Sequence, residues 1–292
     1  MGMVIRNNID SVRTYNIYNK NTIALSNSMY KVSSGQRLNS AADGPSDLAI
    51  SERMRGRIRS NEQASRNVQA GTNMIKTAEG ALSNIVDLLN TVRERVVNAA
   101  NDTNTSAERS LIQTEVAALL AQIDDNAEVT YNGMKLLDGS WSSATTNNGA
   151  GTVALGTALS FQIGGEAGMK MEVHIEAMSS SGLGINGIGT DLSAIATNSA
   201  ANVTLGKIDS AISVVLAQRT ALGSIEARLG FTADNLATEN ENMVASESSI
   251  RDTDMAKEMT NFMKYNVLTQ ASQFMLAQAG QNAYSVLNLL QQ

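Results

Sequence analysis

The stretch 54–96, MRGRIRSNEQASRNVQAGTNMIKTAEGALSNIVDLLNTVRERV, decides the reading of the fold. Within it Met54, Asn61, Val68, Ile75, Leu82, Leu89 and Val96 recur every seven residues. That spacing keeps one face of a helix against a partner over many turns. The stretch has no proline, so nothing interrupts the backbone ladder. The same spacing returns at Ile208, Val215, Leu222, Leu229, Leu236, Met243 and Ile250. At about 1.5 Å per residue each run makes a rod of roughly 60–75 Å. The companion positions of the first run are Ala64, Gly71 and Ala78, then Ile85 and Val92. Small side chains at the first three predict close approach of another helix there. The expected fold is mainly α, with long antiparallel helices in a coiled-coil-like rod and a small β-hairpin region.

Composition supports this and removes several function classes. The 292 residues include one proline, Pro45, where average usage would give roughly 15. Aromatic residues are only 4%, thin for a large globular core. Cysteine is absent, which excludes disulfides, thiolate metal sites and cysteine nucleophiles. The net charge of −6 disfavours nucleic acid as a main partner. No run of 18 apolar residues suggests a membrane span, and the N-terminus shows no apolar core of a cleaved secretory signal. The single histidine, His174, cannot form a metal pair by itself, and its place among strand-like residues makes it a surface side chain. No enzyme, metal or cofactor is expected. The 14 methionines read as flexible filler for core and interfaces.

Thr105-Ser106-Ala107-Glu108 fits a capping box, which starts a third helix with Ile112, Val116, Leu119 and Ile123 on its apolar face. Asn132-Gly133 marks a tight hairpin. LSFQIGG and MKMEVHIEAM read as strands, with Met171, Val173 and Ile175 opposite Glu172, His174 and Glu176. Gly164, Gly165 and Gly168 turn the chain between them.

The two ends are weaker amphipathic segments. The first carries Ile5, Ile9, Val12, Leu25, Met29 and Val32; the last carries Met255, Met259, Phe262, Met263, Val267, Phe274, Met275, Val286, Leu287 and Leu290. Each has Asn, Gln or Ser inside its apolar face. Such helices bury too little alone to offset the entropy of ordering. They are expected to order against each other or against neighbouring subunits.

The run SSGQRLNSAADGPSDLAISERMRGRIRSNEQASRNVQAGTNMIKTAEGAL (33–82) resembles the N-terminal signature of bacterial flagellins. ESSIRDTDMAKEMTNFMKYNVLTQASQFMLAQAGQNAYSVLNLLQQ (247–292) resembles their C-terminal signature, and GLGINGIGTDLS resembles the return from hairpin to helix. The resemblance implies a structural subunit that self-assembles into the extracellular flagellar filament, exported without a cleaved signal. It implies inner-tube terminal helices with linker at 1–45 and 251–292, ordering on polymerisation. It places an outer-tube rod at 46–250, with a β-hairpin region at about 130–185 and no additional outer domain. Implied partners are identical subunits, an export chaperone on the C-terminal helix, the filament cap and junction proteins. A hook–filament junction protein is the alternative; a cytosolic coiled-coil regulator ranks below both.

Two clusters draw meaning from the resemblance. Arg53, Arg55, Arg57 and Arg59 match a family motif expected in subunit packing, whereas a solvated charge run is the plainer reading. Flagellins sensed by a Toll-like receptor carry Arg-x-Arg-Glu-Leu and an acidic residue on the next helix. Here Arg93, Glu94 and Glu115 match, but Thr91 replaces an arginine and Arg95 a leucine. Weak receptor activation is therefore expected.

Overall fold

The structure is a computed structural model that describes residues 8–142, 145–147, 152–154, 158–190, 195 and 197–290. In chain order the elements are α1 (Ile9–Ser34), α2 (Pro45–Ala99), α3 (Ser106–Ala127), β1 (Thr130–Tyr131) and β2 (Met134–Lys135). There follow β3 (Thr145–Asn147), β4 (Thr152–Ala154), β5 (Leu159–Gln162), β6 (Lys170–Val173), α4 (Asn186–Thr190), α5 (Asn198–Arg251) and α6 (Met255–Leu290). The strands pair antiparallel as β1–β2, β3–β4 and β5–β6. The expected mainly α fold is present, and beside the two expected hairpins, β1–β2 and β5–β6, the described residues hold a third small sheet, β3–β4.

Two compact units divide the chain: Met1–Ile58 with Glu241–Gln292, and Arg59–Asn240. Both limits fall inside helices rather than at residues 45 and 251, where those helices begin and end. Ion pairs give the reason. Arg55 Nε lies 3.5 Å from Glu247 Oε1, and Arg251 Nη1 lies 2.5 Å from Glu52 Oε1. The first turns of α2 and the last turns of α5 are thus tied to each other and to the linkers.

In the unit Arg59–Asn240 the heptads form the core. Val68, Ile75, Leu82, Leu89 and Val96 of α2 are buried with Ile208, Val215, Leu222, Leu229 and Leu236 of α5. Ion pairs Arg219–Glu79, Lys76–Glu226 and Arg93–Asp209 run up one helix and down the other, so α2 and α5 are antiparallel. One 18-residue window of α5 has mean hydropathy 1.3, so by length and composition alone it could cross a membrane, although it contains no unbroken run of 18 apolar residues. Of that window 28% is buried; Ile208, Ala211 and Val215 lie in the core, while Val203, Val214 and Leu216 are exposed.

Helix α3 starts at the expected capping box: the Thr105 hydroxyl accepts from the Glu108 amide, and Glu108 accepts from the Thr105 amide at 2.7 Å. Its buried face differs from expectation. Val116 and Ile123 are buried, but Ile112 and Leu119 are half-buried while Gln113, Leu120 and Ala127 take the core positions. Inside the core the Gln113 side-chain amide nitrogen donates to the Ile188 carbonyl in α4, while its Oε1 is buried without a partner among the described residues.

Asn132 and Gly133 turn β1 into β2 with φ of 50° and 79°, as a two-residue hairpin requires. In β6 and beyond, Met171, Val173 and Ile175 are buried and Glu172 and His174 exposed, the expected alternation. The hairpin β5–β6 also corrects the reading of Gly71. No helix occupies that notch: a Cβ at Gly71 would lie 3.2 Å from the Phe161 ring of β5. Asn67 Nδ2 donates to the Gln162 carbonyl at 3.2 Å, and Gly165 packs so closely on α2 that a Cβ there would meet Asn61 Oδ1 at 2.6 Å. Small residues on α2 therefore seat a hairpin.

Candidate assembly surfaces

The other unit is built around α1 and α6. Asn8 caps α1 by accepting from the Ser11 amide, and Gly35 ends it at φ +68°, with its amide donating to the Lys31 carbonyl. Asp254 caps α6 by accepting from the Lys257 amide. The two helices run antiparallel, because hydrogen bonds join Asn8 to Ala279, Asn21 to Ser272 and Ser28 to Glu258. Ser28 Oγ donates to Glu258 Oε1 at 2.6 Å and Asn21 Nδ2 to Ser272 Oγ at 3.0 Å. Gln273 adds a bond to the Tyr18 hydroxyl at 3.3 Å.

This seam reverses the expected amphipathicity. Its buried residues are Ser28, Thr269 and Ser272, the polar interruptions of the sequence pattern. The apolar side chains face away from it: Ile9 is 67% exposed, Val267 65% and Phe274 77%, and Val12, Met29, Met259 and Met263 are exposed as well. Leu25, Val32 and Phe262 are half-buried. Ile5 lies outside the described residues, and the side chains of Leu287 and Leu290 lie outside the described set. Hydrogen-bonding side chains are favoured where two helices meet closely; exposed Phe, Val, Ile and Met on two adjacent helices are not. Periodicity could not separate these faces, because it marks which residues are apolar but not which side has a partner in the same chain.

The linkers form a small bridged joint. Gln36 and Asp252 pair antiparallel, the Arg37 amide donates to the Arg251 carbonyl at 2.7 Å, and the Thr253 amide donates to the Gly35 carbonyl at 3.0 Å. Arg37 Nη2 donates to the Ile250 carbonyl at 2.6 Å, a cation at the negative end of α5. The side-chain hydrogen bond from Arg251 holds the Glu52 carboxyl below its usual range. Sequence reasoning missed this joint, since the pairing links positions more than 200 apart.

Of the four arginines, Arg55 pairs with Glu52 and Glu247, and Arg57 also interacts within the chain. Arg53, Arg57 and Arg59 are exposed. On α2, Thr91 is half-buried and its hydroxyl donates to the Asp87 carbonyl, while Arg93, Glu94 and Arg95 are exposed. Arg93 Nε lies 2.7 Å from Asp209 Oδ1, and Arg95 Nε 2.8 Å from Glu115 Oε1. His174 is exposed just after β6, and its backbone carbonyl accepts from Gln218 Nε2 at 3.1 Å.

Paired helices with an apolar outer face define an assembling structural subunit. Residues 5–142 match the bacterial flagellin N-terminal helical region, and residues 205–290 match the C-terminal helical region. The chain is 42% identical to a flagellin of Bacillus subtilis and 38% identical to a 31.3 kDa flagellar filament core protein of Treponema maltophilum. Each alignment covers 99% of this chain and 100% of the relative. A flagellar hook-associated protein from Vibrio parahaemolyticus shares the fold, with TM-score 0.56, 16% identity, and coverage of 72% of this chain and 100% of that one. The chain belongs to the bacterial flagellins. It is a structural subunit of the flagellar filament, an extracellular appendage made of identical copies.

Proposed function

We propose that α1 and α6 form the inner layer of this filament and become stably ordered only when copies pack together. The carrying observation is the polar seam, which leaves Ile9, Val12, Met29, Met259, Met263, Val267 and Phe274 exposed on the isolated chain. Burying a Phe, Val or Met side chain contributes about 1.5–3 kcal/mol, so the missing stabilisation comes with the neighbours. Leu25, Val32, Phe262, Ile5, Leu287 and Leu290 belong to the same layer. The unit with the heptad core forms the outer layer, without a further outer domain, and the run of Arg53, Arg55, Arg57 and Arg59 meets adjacent copies, as the family motif implies. A C-terminal helix that is incomplete alone also suits an export chaperone, with the cap and junction proteins as partners at the filament ends.

Seeded polymerisation of purified subunit tests this reading. Full-length chain should grow long helical filaments under electron microscopy, and chains lacking 1–35 or 255–292 should stay folded yet fail to grow. Filaments from either truncation would overturn the assembly role of the ends. Full-length chain that stays monomeric on fresh seeds would favour the junction-protein reading.

For the receptor, Thr91, Arg93, Glu94, Arg95 and Glu115 form a weak contact set. Thr91 and Arg95 remove two anchor types, each often worth about 2 kcal/mol. The ion pairs to Asp209 and Glu115 engage Arg93 and Arg95 within the chain. A Toll-like receptor reporter assay should give low potency, with recovery in T91R/R95L; strong activation by the unaltered chain would contradict this.

A further inference from the structure

The methionines divide by environment in a way that apolarity alone does not require. In the heptad-core unit Met74, Met171 and Met178 are buried, Met178 completely. On the terminal helix pair Met29, Met255, Met259, Met263 and Met275 are all exposed, with Met263 at 56%. Met255, Met259 and Met263 follow one another at intervals of four, so they lie along one ridge of α6. Two further exposed methionines, Met134 and Met169, sit on the hairpins.

We infer that the Met255–Met259–Met263 ridge is an oxidation-sensitive control site for assembly, modified by peroxide-class oxidants in the free subunit and shielded in the filament. The inference rests on the proposed packing of α6 against other copies. The thioether sulfur attacks one oxygen of hydrogen peroxide; the S–O bond forms as the O–O bond breaks. The sulfide loses two electrons to become a sulfoxide, and the peroxide is reduced to water. An apolar, flexible side chain thereby becomes polar and chiral, which disrupts a Met-rich interface and is reversible by methionine sulfoxide reductases. Three such changes on one ridge place three sulfoxide oxygens where packing needs apolar surface. The buried Met74, Met171 and Met178 escape, so the heptad-core unit stays folded while the surface loses its fit.

The test starts from untreated full-length subunit, which must elongate seeds; failure at this step sinks the filament-packing reading itself. The subunit is then treated with hydrogen peroxide, sulfoxide at each methionine is read by peptide mass spectrometry, and elongation is repeated. Sulfoxide at Met255, Met259 and Met263 should lower the elongation rate about tenfold, while far-ultraviolet circular dichroism keeps its helical signal. Treatment with both reductases should restore growth. Undiminished elongation with all three oxidised would overturn the inference and leave the filament reading intact. So would a loss that the reductases do not reverse. The variant M255L/M259L/M263L should elongate equally before and after peroxide; if it still loses growth, Met134, Met169 or another site is responsible. If the variant does not assemble, reductase rescue of the unaltered chain decides. Intact filaments given the same dose should oxidise at Met134 or Met169 and be protected at Met255, Met259 and Met263; equal oxidation there would refute the shielding.

Discussion

Two helix pairs in this chain solve opposite problems. In α2 and α5 the heptad positions from Val68 to Val96 and from Ile208 to Leu236 meet in an apolar core, and charged residues such as Glu79 and Arg219 flank it. In α1 and α6 serine and threonine line the contact, and Phe274, Val267 and Ile9 face out. The first pair is stabilised by what it buries within the chain. The second holds its own geometry by hydrogen bonds and leaves its apolar surface exposed on the isolated chain. A helix pair thus shows by its inward residues whether it is complete.

Substitutions that separate the two pairs test the contrast most strongly. Leu89→Ala, at a fully buried heptad site, should cost about 2–5 kcal/mol in denaturant unfolding of the subunit. Phe274→Ala should leave that unfolding within about 0.5 kcal/mol, yet raise the critical concentration for polymerisation roughly tenfold. Equal effects of the two on subunit stability would break the comparison. Next in size is Gly71→Ala, which pushes on the Phe161 ring at a cost of about 1–3 kcal/mol. Helix propensity returns about 1 kcal/mol of that, for a small net loss through the displaced hairpin. Its thermal midpoint should fall, and proteolysis should shift to residues 159–173.

Thr105→Ala removes the cap of α3 and should cost about 1 kcal/mol. Its partner Glu108 adds a pH signature. The Thr105 amide and hydroxyl hold the Glu108 carboxyl below its ordinary value of 4.5. The folded form therefore favours the carboxylate, so the cap's stabilisation is full above that value and is lost as pH falls through the lowered one. Unfolding of Glu108→Gln and of the unaltered chain should differ at neutral pH and converge in acid. A constant difference across pH would remove the carboxylate from the cap.

Long-period features were legible in the sequence because helical geometry repeats. The spacing of Ile208 to Leu236 could only bury one stripe, and Thr105–Glu108 and Asn132–Gly133 are local signals whose partners lie within a few residues. What escaped depends on distant partners. Phe161 meets Gly71 across 90 positions of chain, and nothing around Gly71 distinguishes a notch for a ring from a notch for a helix. The α3 face was misplaced by one residue because Gln113 looks unsuited to a core until the Ile188 carbonyl is beside it. For the assembly surface, the apolar residues were legible and their orientation was not. Ser28 and Ser272 looked like defects in a stripe when they were the contact itself.

The serine-lined seam also works as a ruler. Apolar helix contacts tolerate small slips, because methyl groups can exchange neighbours at little cost. The bonds from Asn8, Asn21 and Ser28 join single atoms at three separate heights along the pair. A slide of one turn, about 5.4 Å, would break all three together. The helices therefore lock in one register, and the outward side chains of α1 keep a fixed phase against those of α6. Each copy thus carries the same outward pattern of apolar side chains, fixed by three hydrogen bonds within the chain.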